Sequence, residues 1–154
     1  MAVPTADAVL ADLGLPVREV APPAVAHVPV VRAGAFVFTS GQLPIREGEL
    51  LATGRVGDTL DVADGQACAQ WCVLNALAAI RSEIGDLGQV KRVVRLVVYV
   101  ASGALFTDQA LVANGASELL GRVFGESGQH ARSAVGVSVL PLDAPVELDL
   151  VVEI

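Results

Sequence analysis

Lysine is almost missing from this chain. Lys91 is the single example among ten basic residues, set against seventeen acidic ones, and the formal net charge is −7. No basic cluster exceeds Lys91-Arg92. Nucleic-acid binding draws most of its affinity from neutralised phosphates, so this balance argues against a general DNA or RNA binder. A site holding one small anion remains compatible with it. Cysteine is equally scarce: Cys68 and Cys72 are the only two. Four residues apart on a helix, their Cβ atoms would sit about 5–6 Å apart, beyond relaxed disulfide geometry. They read as two small buried apolar side chains. The two histidines, His27 and His130, are far apart, and no second ligand pair accompanies the cysteines, so no metal site is expected.

Long hydrophobic runs are also lacking. None approaches the roughly 18–20 residues of a membrane helix. The opening Met1-Ala2-Val3-Pro4-Thr5 has no basic segment followed by an apolar stretch, so a secretory signal is not expected and the cytoplasm is the default compartment. The phosphate-binding G-x-x-x-x-G-K-[ST], the dinucleotide G-x-G-x-x-G, the G-x-S-x-G elbow and H-E-x-x-H are all absent. Nothing indicates a nucleotide cofactor or a catalytic metal. What is present is a chain of 154 residues, 53% apolar and 18% charged, enough to close one hydrophobic core.

Thr5 is placed to cap a short helix running to about Leu13, ended by Gly14 and Pro16. Pro22-Pro23 imposes extended chain. Val28–Arg32 and Ala35–Ser40 read as a hairpin around Ala33-Gly34, and Glu49–Ala52 as a short strand. Asp61–Gly85 is the strongest helix, with Val73, Leu77, Ile80 and Ile84 on one stripe; Asn75 beside that stripe reads as a satisfied buried amide. Val90–Ala101, apolar on both faces, reads as a central strand. Thr107–Phe124 is a second helix with the stripe Val112, Ala116, Leu119, Val123. Ser133–Leu140 and Val146–Ile154 are strands, the last alternating cleanly. The order β-β-(β)-α-β-α-β-β predicts an α+β domain, one sheet with two long helices on one face. The opposite face would stay bare in a single chain, which predicts a cyclic oligomer.

Chemistry concentrates in Gly128-Gln129-His130-Ala131-Arg132-Ser133, which runs into a strand. Arg132 is the only cation after Arg122, among five acidic residues. A planar guanidinium suits bidentate carboxylate recognition, and equally suits a salt bridge to one of those acids. Glu147 opens the polar face of the last strand, where a carboxylate can orient or deprotonate water, or simply be solvated. Ser40-Gly41-Gln42 ends a strand where glycine lets a ligand approach the backbone, or makes an ordinary turn. His130 stands two residues before Arg132; imidazole is the side chain suited to proton transfer near neutral pH, and equally a loop histidine can simply hydrogen-bond to backbone.

Phe38-Thr39-Ser40-Gly41-Gln42-Leu43-Pro44, Leu74-Asn75-Ala76-Leu77, Val112-Ala113-Asn114, Ala131-Arg132-Ser133-Ala134-Val135-Gly136-Val137, Leu140-Pro141 and Val146-Glu147-Leu148 follow one another at telling separations. Together they resemble the Rid (YjgF, L-PSP) family, the chorismate-mutase-like "putative endoribonucleases", in a longer branch. The resemblance runs from about His27 to the C-terminus, so 1–154 reads as one domain with an N-terminal extension over 1–26. It implies a β-β-β-α-β-α-β fold and a homotrimer with a central barrel and clefts between subunits. It also implies cofactor-free hydrolysis of 2-imino or enamine acids to 2-oxo acids and ammonia. Arg132 matches the family's carboxylate-gripping arginine and Glu147 its water-handling acid. Ser40, Gly41 and Asn114 match pocket residues, and Ser133 and Ala134 bring a backbone amide to the ligand. His27 stands where the family commonly has a tyrosine, and Ala134 where it has a cysteine. Those two departures leave a non-catalytic carboxylate-binding trimer as the alternative; ribonuclease activity fits the acidic balance worst.

One geometric expectation concerns the last two strands. Paired as a simple hairpin, they would set Glu147 opposite about Ser138, on the order of 20 Å from Arg132. One chain then could not bring both to one small ligand, so Glu147 would reach the site from a neighbouring subunit or be structural.

Overall fold

The computed structural model describes residues 2–20 and 26–154. The Pro22-Pro23 segment lies outside the described residues. Helix α1, Ala6–Asp12, starts where Thr5 Oγ1 accepts the Ala8 amide, as the sequence predicts. Strands β1 (Val30–Ala33) and β2 (Phe36–Thr39) form the expected hairpin through Gly34-Ala35, with Gly34 at φ 62°. A second, tiny hairpin joins β3 (Ile45–Arg46) to β4 (Glu49–Leu50). Its turn residues Glu47 and Gly48 both have positive φ, the arrangement that matches a right-handed strand twist. The short strand expected at Glu49–Ala52 therefore exists but stays outside the main sheet.

Helix α2, Val62–Ile84, begins with a reciprocal cap between Asp61 and Asp64 and stops at Gly85. Strand β5 is Arg92–Ala101, helix α3 is Gln109–Phe124, β6 is Ala131–Val137 and β7 is Val146–Glu153. The five-stranded sheet has the order β1-β2-β7-β5-β6. Strand β5 lies inside the sheet, as its two apolar faces predict, antiparallel to β7 and parallel to β6, but the middle place belongs to β7. The expected hairpin of β6 with β7 does not form. A parallel β5-α3-β6 crossover delivers β6 to the sheet edge, and β5 takes the place beside β7. Alternation along a strand records which face is buried and not which strand lies alongside, so the pairing of β7 with β5 rather than β6 was not legible in it.

Both long helices pack on one face. Toward them point Leu96, Val98 and Val100 of β5 and Val146, Leu148, Leu150 and Val152 of β7, all fully buried. The predicted stripe Val112, Ala116, Leu119 and Val123 is buried as well. The helices approach closely through Gly115, where a Cβ would collide with the Gln66 backbone. Cys68 and Cys72 are buried free thiols in this layer, and burial pushes the Cys68 thiol up to about 11. Asn75 is satisfied by the Leu43 and Ile45 carbonyls at 2.8 and 3.0 Å, which ties the loop after β2 to α2.

The other face of the sheet carries Val31, Phe36, Phe38 and Val135, each exposed by 42–52%. Among the described residues no element covers these apolar side chains, the situation the sequence predicts. Among the described residues no helix is long and apolar enough to cross a membrane.

Candidate functional site

Strand register decides where each candidate side chain points. Arg132 pairs with Leu96 and so shares the helix face. Glu147 pairs with Tyr99, three residues further along β5, and so shares the bare face. The two side chains leave opposite faces of one sheet. With β5 between them, two strand spacings and three residues of rise separate their backbones by about 14 Å. Arg132 and Glu147 thus lie apart within one chain, as expected, but across β5 and by less than the roughly 20 Å of a hairpin.

The first group of residues surrounds Arg132. Its Nη1 donates to Asn114 Oδ1 at 2.9 Å and to Ser117 Oγ at 3.1 Å, and its Nη2 to the Ala110 carbonyl at 3.4 Å. Ala110, Asn114 and Ser117 lie along one stripe of α3, and the short Gly121 opens the space at its end. A guanidinium has five N–H donors; three point at these neutral oxygens. Among the described residues no carboxylate reaches Arg132, so the salt-bridge reading of this arginine is not what the fold builds. A cleft of about 350 Å³ opens here, lined by Ser117, Gly121, Gly128, Gln129, His130 and Arg132. His130 Nε2 lies 2.9 Å from Ser117 Oγ, and its Nδ1 lies 2.6 Å from the Gly128 carbonyl. Gly128 packs against α3, where a Cβ would strike the Leu120 carbonyl. Ala134 lies two residues beyond Arg132 and pairs with the buried Val98, on the same face.

The second group gathers around Glu147. The ladder between β2 and β7 is broken there: Phe38 faces Val151, yet Gln42 faces Leu148, so β2 carries one extra residue. Thr39 Oγ1 accepts the Leu150 amide at 3.0 Å in place of a backbone carbonyl. This bulge presents Ser40 and Gly41 just past the end of β2, beside β7, a common use of such irregularities beside sites. Gly41 lies under the Glu147 carboxylate, in space that a Cβ would fill. Ser40 Oγ donates to the Val28 carbonyl at 2.6 Å, which anchors the segment carrying the exposed His27. Burial, and then the charge of Asp149, raises the Glu147 carboxyl above its ordinary value. Burial also raises Asp149, with Tyr99 and Arg95 pulling it back down. Ser133 belongs to this bare face through its hydroxyl, which accepts from Arg95 Nη2 at 3.0 Å; only its backbone lies beside Arg132.

Two half-sites result. Arg132, Asn114, His130 and Ala134 stand on one side of the sheet; Ser40, Gly41, Glu147, the Ser133 hydroxyl and the His27 segment stand on the other or at its edge. Ser117 joins the first half-site and escaped the sequence reading. The signal was there: Ala110, Asn114, Ser117 and Gly121 form a small and polar stripe beside the apolar one on α3. Among the described residues no group of three His, Cys, Asp or Glu side chains is arranged to hold a metal ion.

A mixed five-stranded sheet backed by two helices, with β5-α3-β6 as a parallel crossover, defines a chorismate-mutase-like α+β fold. The chain belongs to the family described as YjgF/chorismate mutase-like, putative endoribonuclease, which it matches over residues 7–154. It is 46% identical over 146 residues to Protein TCP17 of Trypanosoma cruzi, covering 94% of this chain and 91% of that one. It is 42% identical to the crystal structure of Atu1372 from Agrobacterium tumefaciens, a protein described as of unknown function. That pair has a TM-score of 0.90 and covers 97% and 93% of the two chains. E. coli TdcF, solved with bound serine, is 26% identical with a TM-score of 0.60, over 87% of this chain and 93% of its own.

Proposed function

We propose that this protein hydrolyses reactive 2-imino and enamine acids to 2-oxo acids and ammonia, at clefts between the subunits of a homotrimer. The observation that carries this reading is the Arg132 guanidinium, held by three neutral oxygens and left with donors to spare beside a cleft. Two N–H groups in one plane are what a substrate carboxylate takes up as a bidentate pair. The serine bound by the TdcF relative is an amino acid with such a carboxylate. The half-site with Ser40, Gly41 and Glu147 comes from the neighbouring subunit, whose Glu147 orients the attacking water. The apolar bare face, with Phe36, Phe38 and Val135, supports that assembly.

The test couples the protein to an amino-acid oxidase, which supplies the imino acid. Added wild-type protein accelerates release of the 2-oxo acid, and Arg132→Ala removes the acceleration. Unchanged release with folded wild-type protein rejects the reading. A carboxylate-binding trimer without turnover is the second reading, favoured by His27 and Ala134 at positions where the family commonly carries tyrosine and cysteine. It predicts saturable binding of a 2-oxo acid by calorimetry with no hydrolysis. Endoribonuclease action has the weakest support, since the chain is strongly acidic and offers no basic track for a phosphate backbone.

A further inference from the structure

The Arg132 cleft contains a hydrogen-bonded chain whose proton positions follow from valence alone. The Gly128 carbonyl can only accept, so His130 Nδ1 carries the hydrogen in that 2.6 Å contact. In the neutral ring Nε2 is then an acceptor, and the Ser117 hydroxyl donates to it across 2.9 Å. Arg132 Nη1 can only donate, so it occupies one lone pair of Ser117 Oγ. That leaves Oγ one lone pair, in a residue that lines the cleft. A hydroxyl held by an imidazole, with the imidazole oriented by a third group, is the arrangement that makes a side-chain hydroxyl exchange protons readily. Here the third group is a backbone carbonyl, and its place is fixed by Gly128 packing on α3.

We propose that Ser117 and His130 are the proton-transfer pair of this cleft, acting on the atoms next to the carboxylate that Arg132 holds; this rests on the imino-acid reading above. Water adds to the iminium carbon as the C=N π pair moves onto nitrogen. A water proton passes to the free lone pair of Ser117 Oγ while the serine's own proton passes to His130 Nε2. The imidazolium then returns that proton through Ser117 to the amine nitrogen. The O–H pair forms the carbonyl, the C–N pair leaves with nitrogen, and the hydroxyl proton departs with the ammonia as ammonium. The attacking water is the only co-reactant. Arg132 stays protonated throughout and serves as the anchor.

The test uses the full chain with oxidase-generated imino acid, together with calorimetry of a 2-oxo acid. His130→Asn keeps a donor for the Gly128 carbonyl and loses Nε2. We expect its kcat to fall by about 100-fold or more, the usual size of a general acid–base contribution, while 2-oxo acid affinity stays within about threefold of wild type. Ser117→Ala gives a similar loss of kcat. Free imidazole restores rate to His130→Gly in proportion to its concentration, which a purely structural histidine would not permit. A kcat for His130→Asn within threefold of wild type, or equal losses of binding and turnover with no imidazole rescue, overturns the pair while leaving the deaminase reading intact. A wild-type protein that hydrolyses no imino acid overturns that reading, and this step with it.

Discussion

Arg132 and Glu147 leave opposite faces of the same sheet, with β5 running between their strands. A ligand that fits one small cleft cannot touch both within one chain. If the two act together, they do so across a subunit boundary. Mixing Arg132→Ala with Glu147→Gln subunits, each inactive alone, then restores activity. Random assembly in a cyclic oligomer rebuilds about a quarter of the sites, because each needs one intact residue from each parent. Activity of the refolded mixture, compared with each variant refolded alone, checks this.

Gly41 and Glu147 make a second, closer relationship. A methyl group at position 41 would occupy the space of the Glu147 carboxylate, and the three atoms nearest to it all belong to that flexible side chain. Gly41→Ala is therefore expected to move the carboxylate rather than the fold. Unfolding free energy should stay within about 1 kcal/mol of wild type while turnover falls at least tenfold. Denaturant unfolding and a rate measurement on one preparation separate the two effects.

Gly115 should behave in the opposite way. A Cβ there meets the backbone of Gln66 on α2, which cannot rotate aside. Gly115→Ala is expected to push the helices apart and lose about 1–3 kcal/mol, as overpacked cores do. Urea unfolding measures the loss. An unchanged midpoint would mean that the helices do not approach as described.

Glu147 also carries a stability signature. Its folded carboxyl lies above the ordinary value, because of burial first and Asp149 second. The folded state then binds its proton more tightly than the unfolded chain, so stability falls as pH rises from about 4.3 through the raised value. Above that window an ionised Glu147 destabilises the fold. Glu147→Gln should raise the thermal midpoint at pH 7, with the gain shrinking toward pH 4. Thermal unfolding at the two pH values checks the sign.

Much of this architecture was legible in the sequence. The alternation of β7, the stripes of α2 and α3, the Thr5 cap and the two-sided apolarity of β5 each placed an element where it stands. Strand order was harder to read. Nothing in the residues of β6 says that it pairs with β5 in parallel rather than with β7, because local pattern records which face is buried and not which neighbour lies alongside. The site was legible in the same uneven way. Arg132 and Asn114 meet as the A-R-S and V-A-N motifs implied. The Ser133 hydroxyl turns to the other face because consecutive strand residues must. Ser117 was missed because it lies outside any motif and becomes relevant only when α3 is laid across β6.

The most direct test of the account is the affinity of a 2-oxo acid for wild-type protein and for Arg132→Ala, measured by calorimetry at moderate salt. Saturable binding is expected for the wild type and none for a folded Arg132→Ala, with Arg132→Lys weakened because a lysine cannot replace the planar fork. Equal binding by wild type and Arg132→Ala would contradict it.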